Sequence, residues 1–212
     1  YLPVEFHEHC EPQAQRVDVA LVIDASTTMR DDRTTAGRTK LAAAIEAATT
    51  FVGTLALPLD QAAVITFNSD AQLLQGLSGK RADIEQALGQ IPRLVRQQTR
   101  IDRGIEEAHR ELVGRRHKAA NRRVMVVLTD GLANPEPAST AVRRAQEAKN
   151  SQITIFTIGL GKDSELNVTE LRQMATTPAH FYHAPDGEDL LDIYRAIAVE
   201  IPCPAHGFWG RR

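Results

Sequence analysis

Asp24-Ala25-Ser26-Thr27-Thr28 sets one carboxylate and two hydroxyls at alternating positions directly after an apolar run. Oxygen donors with no His or Cys among them make a hard ligand set, suited to Mg²⁺ or Ca²⁺ and poorly matched to zinc or copper. A second carboxylate, Asp130, follows another apolar run within Thr129-Asp130-Gly131, and Thr99 offers a further hydroxyl in the loop Gln97-Gln98-Thr99-Arg100. Few carboxylates and several neutral hydroxyls leave a divalent cation incompletely neutralised and partly hydrated, as Mg²⁺ prefers. Such an ion keeps an open position for an outside oxygen, for which a partner's carboxylate is suited. Each segment also has an ordinary reading. Asp24 and Thr28 can cap a helix, and Asp130-Gly131 can be a turn. The chemistry follows only if the fold brings the three segments together.

The elements that must do so are strands alternating with helices. Val19, Ala20, Leu21, Val22 and Ile23 read as a strand buried on both faces, as in the middle of a parallel sheet. Leu41, Ala44, Ile45, Ala48, Val52 and Leu55 fall at helical spacing, and Pro58 closes that helix. Residues 62–67 read as a second buried strand, and the turn Asn68-Ser69-Asp70 makes 71–77 an antiparallel edge strand. Ile84, Ala87, Leu88 and Ile91 mark a second helix stopped by Pro92; Ile101, Ile105, Ala108 and Leu112 mark a third. A strand at 124–128, a helix at 140–149, a strand at 153–158, a short helix at 166–174 and a short strand at 181–183 follow. A final helix carries Leu190, Tyr194, Ile197 and Ala198 on one face and ends at Pro202.

The expected fold is therefore α/β: a three-layer, doubly wound, mostly parallel six-stranded sheet in the order 3-2-1-4-5-6, with one antiparallel edge strand. In that order the first and fourth strands are neighbours where the winding reverses, and ligands bind at the carboxyl ends there. Asp24 ends the first strand and Asp130 the fourth. The loop bearing Thr99 leads into the helix beside the fourth.

With 212 residues and 42% hydrophobic content, the chain can fill one large domain. A net charge of −2, with both signs dispersed, gives no electrostatic footing for nucleic acid or an anionic membrane as partner. No run is long and apolar enough to insert across a bilayer. The expected division is an extension, 1–15, carrying Cys10; a domain, 16–201; and a tail, 202–212, carrying Cys203. The ends of compact α/β domains often lie close together, which favours a Cys10–Cys203 bridge over two free thiols. A bridge implies export to the cell surface or the extracellular space. His7-Glu8-His9-Cys10 is a weak soft-metal candidate, and Asn167-Val168-Thr169 fits a glycosylation acceptor. Arg100 and Arg103 neighbour Thr99 and would favour an acidic partner surface.

Together, D-x-S-x-T from Asp24 to Thr28, Thr99 ahead of a helix start containing Gly104, Thr129-Asp130-Gly131, and the strand 153–161 resemble the von Willebrand factor type A (vWA) domain family over nearly the whole chain. That family includes integrin inserted domains. The resemblance implies a metal-ion-dependent adhesion site in which Asp24, Ser26 and Thr28 match the first loop, Thr99 the second and Asp130 the third. It implies Mg²⁺ (or Ca²⁺ or Mn²⁺) as cofactor, and as partner a protein whose acidic side chain completes the metal shell. The terminal cysteine pair is similar to that of extracellular members. Two positions depart from the pattern: Thr28 replaces the usual Ser, and Gln97-Gln98 stand where many members have Gly-Gly.

Enzymatic readings find less. Dinucleotide, P-loop and acyl-transfer signatures are absent. A Mg²⁺-dependent phosphatase of the haloacid dehalogenase type also has Asp after its first strand. That resemblance implies a second Asp two residues on, where Ser26 cannot transfer a proton as a carboxylic acid does. The expectation is a non-enzymatic, metal-dependent recognition and adhesion module. The alternative is a structural or assembly domain that the metal mainly stabilises.

Overall fold

Residues 16–201 are described by the computed structural model; Cys10, Cys203 and the 7–9 and 208–210 segments lie outside the described residues. The elements run β1 (Val17–Asp24), α1 (Thr27–Asp31), α2 (Lys40–Thr54), β2 (Gln61–Phe67), β3 (Ala71–Ser78), α3 (Arg81–Leu88), α4 (Ile101–Leu112), β4 (Arg122–Thr129), α5 (Ala138–Asn150), β5 (Ile153–Leu160), α6 (Val168–Met174), β6 (Phe181–Ala184) and α7 (Leu190–Glu200). Six strands form one sheet in the order β3-β2-β1-β4-β5-β6. Every pairing is parallel except β2 with β3. The architecture is the doubly wound one expected from the sequence.

The continuous apolar runs are explained by two-sided burial. Alternate residues of β1 point to opposite faces of the sheet. Val19, Leu21 and Ile23 join a core with Phe51 of α2, Leu88 of α3 and Tyr194 of α7. Ala20 and Val22 join a second core with Ile105 of α4, Ala145 of α5 and Leu171 of α6. Register then sets the level of the site. Ile23 pairs with Leu128, so Asp24 ends level with Thr129, and Asp130 lies one residue beyond the edge of the sheet.

Two local features shape the loops above that edge. A Cβ on Gly104 would lie 2.8 Å from Phe67 Cδ1 and 2.9 Å from Val22 Cγ1, so its absence lets the first turn of α4 settle on the sheet. The helix expected to end at Pro92 instead ends at Leu88, and Ile91–Leu94 forms a separate 3-10 turn with Pro92 near its start. The missing amide of proline is tolerated in a first turn, where it has no intrahelical partner anyway. The short α1 was not anticipated. Five residues with only Met29 buried carry no readable periodicity.

Candidate metal centre

Asp24 is fully buried, and its carboxylate is held from two sides. Ser26 N–H donates to Oδ1 at 2.8 Å, an Asx turn that reverses the chain after β1. Thr129 Oγ1 donates to Oδ2 at 2.6 Å from the neighbouring strand. The Ser26 hydroxyl lies 3.0 Å from Thr28 Oγ1, and Thr28 Oγ1 donates to Asp130 Oδ1 at 2.8 Å. One chain of hydrogen bonds therefore links Asp24, Ser26, Thr28 and Asp130, although Thr28 and Asp130 are 102 residues apart.

Backbone bonds bring in the second loop. Arg96 N–H donates to Ala25 C=O at 3.1 Å, which aligns the segment before Thr99 with the first loop. Thr99 and Asn134 exchange both backbone bonds at 3.2 Å, joining the second loop to the third. A Cβ built on Gly131 would stand 3.9 Å from Thr99 Oγ1, so this hydroxyl faces the Asp130 loop. Gln98, in place of a family glycine, holds a positive φ of 74°. The loop thus keeps a left-handed backbone that glycine adopts freely and glutamine only at a cost. Ser26, Thr99 and Asp130 are buried, whereas Thr28 is exposed at the rim. All five candidate ligands lie on three mutually bonded loops at the carboxyl end of the sheet.

The electrostatics suit a hard divalent cation. Burial, reinforced by Asp130, pushes the Asp24 carboxyl up to about 7, against the hydrogen bonds from Thr129 and Ser26. Burial also raises Asp130, with Lys40 and Thr28 pulling the other way. Two buried carboxylates beside three hydroxyls are a hard-oxygen set short of countercharge, the chemistry that a divalent cation supplies. No cluster of three or more His, Cys, Asp or Glu suited to a metal occurs among the described residues. A candidate centre here is therefore rich in hydroxyls.

Sequence reading passed over Lys40. Its ammonium donates to Asp130 Oδ2 at 3.2 Å and to Asp32 Oδ2 at 3.0 Å, and Glu165 Oε2 lies 3.5 Å away. Burial works to lower its pKa, but Asp130 and Asp32 more than offset that, so it stays charged. The available signal was its position four residues before Ala44, on the buried stripe of α2. Arg100 makes a two-pronged pair with Asp102 at 2.9 and 2.8 Å, and Arg103 pairs with Glu106 at 3.2 Å. Asn167 caps α6, its side chain accepting from Glu170 N–H at 3.2 Å.

The family model of the von Willebrand factor type A domain matches residues 18–196, and the chain belongs to that family. Integrin alpha-11 of Mus musculus is 27% identical over 150 residues, covering 66% of this chain and 13% of the integrin. The chain thus spans about an eighth of that relative's length. Among solved structures, the vWF domain of the type V pili tip protein Mfa5 from Porphyromonas gingivalis superposes with a TM-score of 0.78 at 18% identity, covering 94% of this chain and 98% of that one. Proximal thread matrix protein 1 from the mussel byssus gives 0.75 at 22% identity, covering 89% of this chain and 47% of its own. A structure of that mussel protein with a zinc-occupied MIDAS motif gives 0.74 at 24% identity, covering 87% and 45%. At these identities the likeness is one of fold.

Proposed function

We propose that this domain is a non-enzymatic recognition module that binds a divalent cation and, through it, an acidic side chain of a protein partner. The observation that supports the reading best is the hydrogen-bond chain from Asp24 through Ser26 and Thr28 to Asp130, with the loop of Thr99 bonded to both sides. Ser26, Thr28 and Thr99 would coordinate Mg²⁺, Ca²⁺ or Mn²⁺ directly or through water, while Asp24 and Asp130 hold the ion and its waters. When bound, the ion supplies an open coordination position of high charge density to a partner carboxylate. Zinc in the mussel protein's motif supports a divalent ion at the equivalent loops here. Integrin and pilus-tip relatives support an adhesive role at a cell surface or outside the cell. Arg100 and Arg103 lie next to Thr99 and would add positive potential for an acidic surface, tempered by their own carboxylate partners.

Calorimetric titration with MgCl₂, CaCl₂ and MnCl₂ tests the reading. Uptake of one ion by the wild type, and its loss in Asp24→Asn with the fold retained by circular dichroism, is the expected result. Folded wild type that takes up none of them overturns it. Partner capture abolished by chelator distinguishes a recognition module from an assembly domain, in which metal would raise only the melting temperature.

A further inference from the structure

Lys40 opens α2, where a cation opposes the helix macrodipole. It is also buried, its side chain only 10% exposed. A lysine in so unfavourable a place implies a compensating partner, and three carboxylates supply it. Asp130 comes from the loop after β4, Asp32 from the turn between α1 and α2, and Glu165 from the segment after β5. Gly161 makes the approach possible. Its φ is +123°, and a Cβ there would lie 2.7 Å from Glu165 Oε2 and 3.3 Å from Lys40 Nζ. Asp32 and Glu165 are half-exposed and solvated, whereas the Asp130 side chain is fully enclosed. The ammonium therefore matters most to Asp130, the one carboxylate that cannot turn to water.

Asp130 thus has a protein partner on each oxygen: Thr28 on Oδ1 and Lys40 on Oδ2. We propose that Lys40 is a resident counter-cation of the metal centre, which keeps the cradle assembled before an ion arrives and weakens divalent binding by sharing its carboxylate. The proposal rests on the metal-dependent reading above and adds a residue that sets its affinity. An ion entering beside Asp130 must share that carboxylate with a fixed positive charge. Asp32 and Glu165 keep the ammonium in place, so it is not simply displaced. Like charges this close repel strongly in a partly desolvated site.

The test combines calorimetry with MgCl₂ and thermal melts in EDTA and in saturating Mg²⁺, on wild type, Lys40→Met and Lys40→Arg. Lys40→Met should bind Mg²⁺ at least tenfold more tightly, about 1.4 kcal/mol, while Lys40→Arg stays within about threefold of wild type. The melts check this independently. In a closed cycle the variant must lose more stability without metal than with it, by the same increment as its gain in affinity. If Lys40→Met does not fold in EDTA, Lys40→Gln retains an amide donor to Asp130 and should show the same direction of change. Uptake by wild type with equal or weaker binding in the neutral variants overturns the role of Lys40 alone. Uptake by neither overturns the metal reading and this proposal together. Uptake only after Lys40 is neutralised bears out the repulsion by Lys40 but overturns the metal-dependent reading of the wild type, on which the proposal rests.

Discussion

Of the two buried carboxyls in the centre, Asp24 should carry the larger part of its pH response. The Asp24 group is pushed from near 3.8 when exposed to about 7 in the folded chain, by burial first and Asp130 second. A raised native pKa means that the folded state binds this proton more tightly than the unfolded one. Its contribution to stability is full below about pH 4 and is lost as pH rises towards 7. In EDTA, the wild type should therefore lose part of its denaturant midpoint between pH 4.5 and 7.5. Asp24→Asn, which stays neutral in the same shape, should show a shallower decline over that interval. A divalent ion competes with the same proton, so wild-type Mg²⁺ affinity should climb up to about pH 7 and then level. Parallel declines for wild type and Asp24→Asn would remove Asp24 as the source. Lys40 belongs to this scale too. It pairs with Asp130, whereas Asp24 is held by the neutral Ser26 N–H and Thr129 hydroxyl.

Loops, more than strands, decide whether five donors meet, and the second loop is the most constrained of the three. Gln98 sits at φ 74°, one residue before Thr99. A side chain at positive φ costs about 1–2 kcal/mol, and a β-branched one more. Denaturant midpoints should therefore rank Gln98→Gly equal to or above wild type, and Gln98→Val below it by about 1–2 kcal/mol, with weaker Mg²⁺ uptake in the valine variant because Thr99 is displaced. Equal midpoints for valine and glycine would mean that the positive φ is not required. The sequence made the strand ends readable because apolar runs end abruptly: Ile23 before Asp24 and Leu128 before Thr129. Strand order then came from taking the common doubly wound order for the alternation of strands with helices, and with it the nearness of Asp24 to Asp130. Lys40 was not readable in this way. Its meaning lies in Asp130, 90 residues on, and in Glu165, further still. The positive φ at Gln98 was equally hidden, since glutamine does not advertise a left-handed backbone as glycine does. Arg100 looked available beside Thr99, but its pairing with Asp102 depends on how the chain turns into α4.

At the scale of the whole sheet, the candidate metal site and the two ends of the described segment lie at opposite edges. The candidate ligands ride above the carboxyl ends of β1 and β4. At the other edge, Arg122 N–H donates to Arg16 C=O at 2.8 Å, and Arg122 Nη1 donates to Ile201 C=O at 3.1 Å. The two ends of the described chain thus meet at one residue, which favours the proposed Cys10–Cys203 bridge between the segments beyond them. Such a bridge would close nearly the whole chain into a loop, worth about 5 kcal/mol in the chain-entropy model. For a chain of this size each kcal/mol moves Tm by roughly 2–4 °C. Reduction, or a Cys10→Ser/Cys203→Ser double variant, should then lower Tm by about 10 °C or more while leaving Mg²⁺ affinity within about twofold, because Arg16 and Ile201, from which the bridged segments would extend, meet at the edge opposite Asp24. A normal Tm after reduction would dispose of the bridge. A large loss of Mg²⁺ affinity would instead mean that the tether at the lower edge reaches the ligand loops through α7, whose Tyr194 packs 5.5 Å from Phe51 on the helix that begins with Lys40.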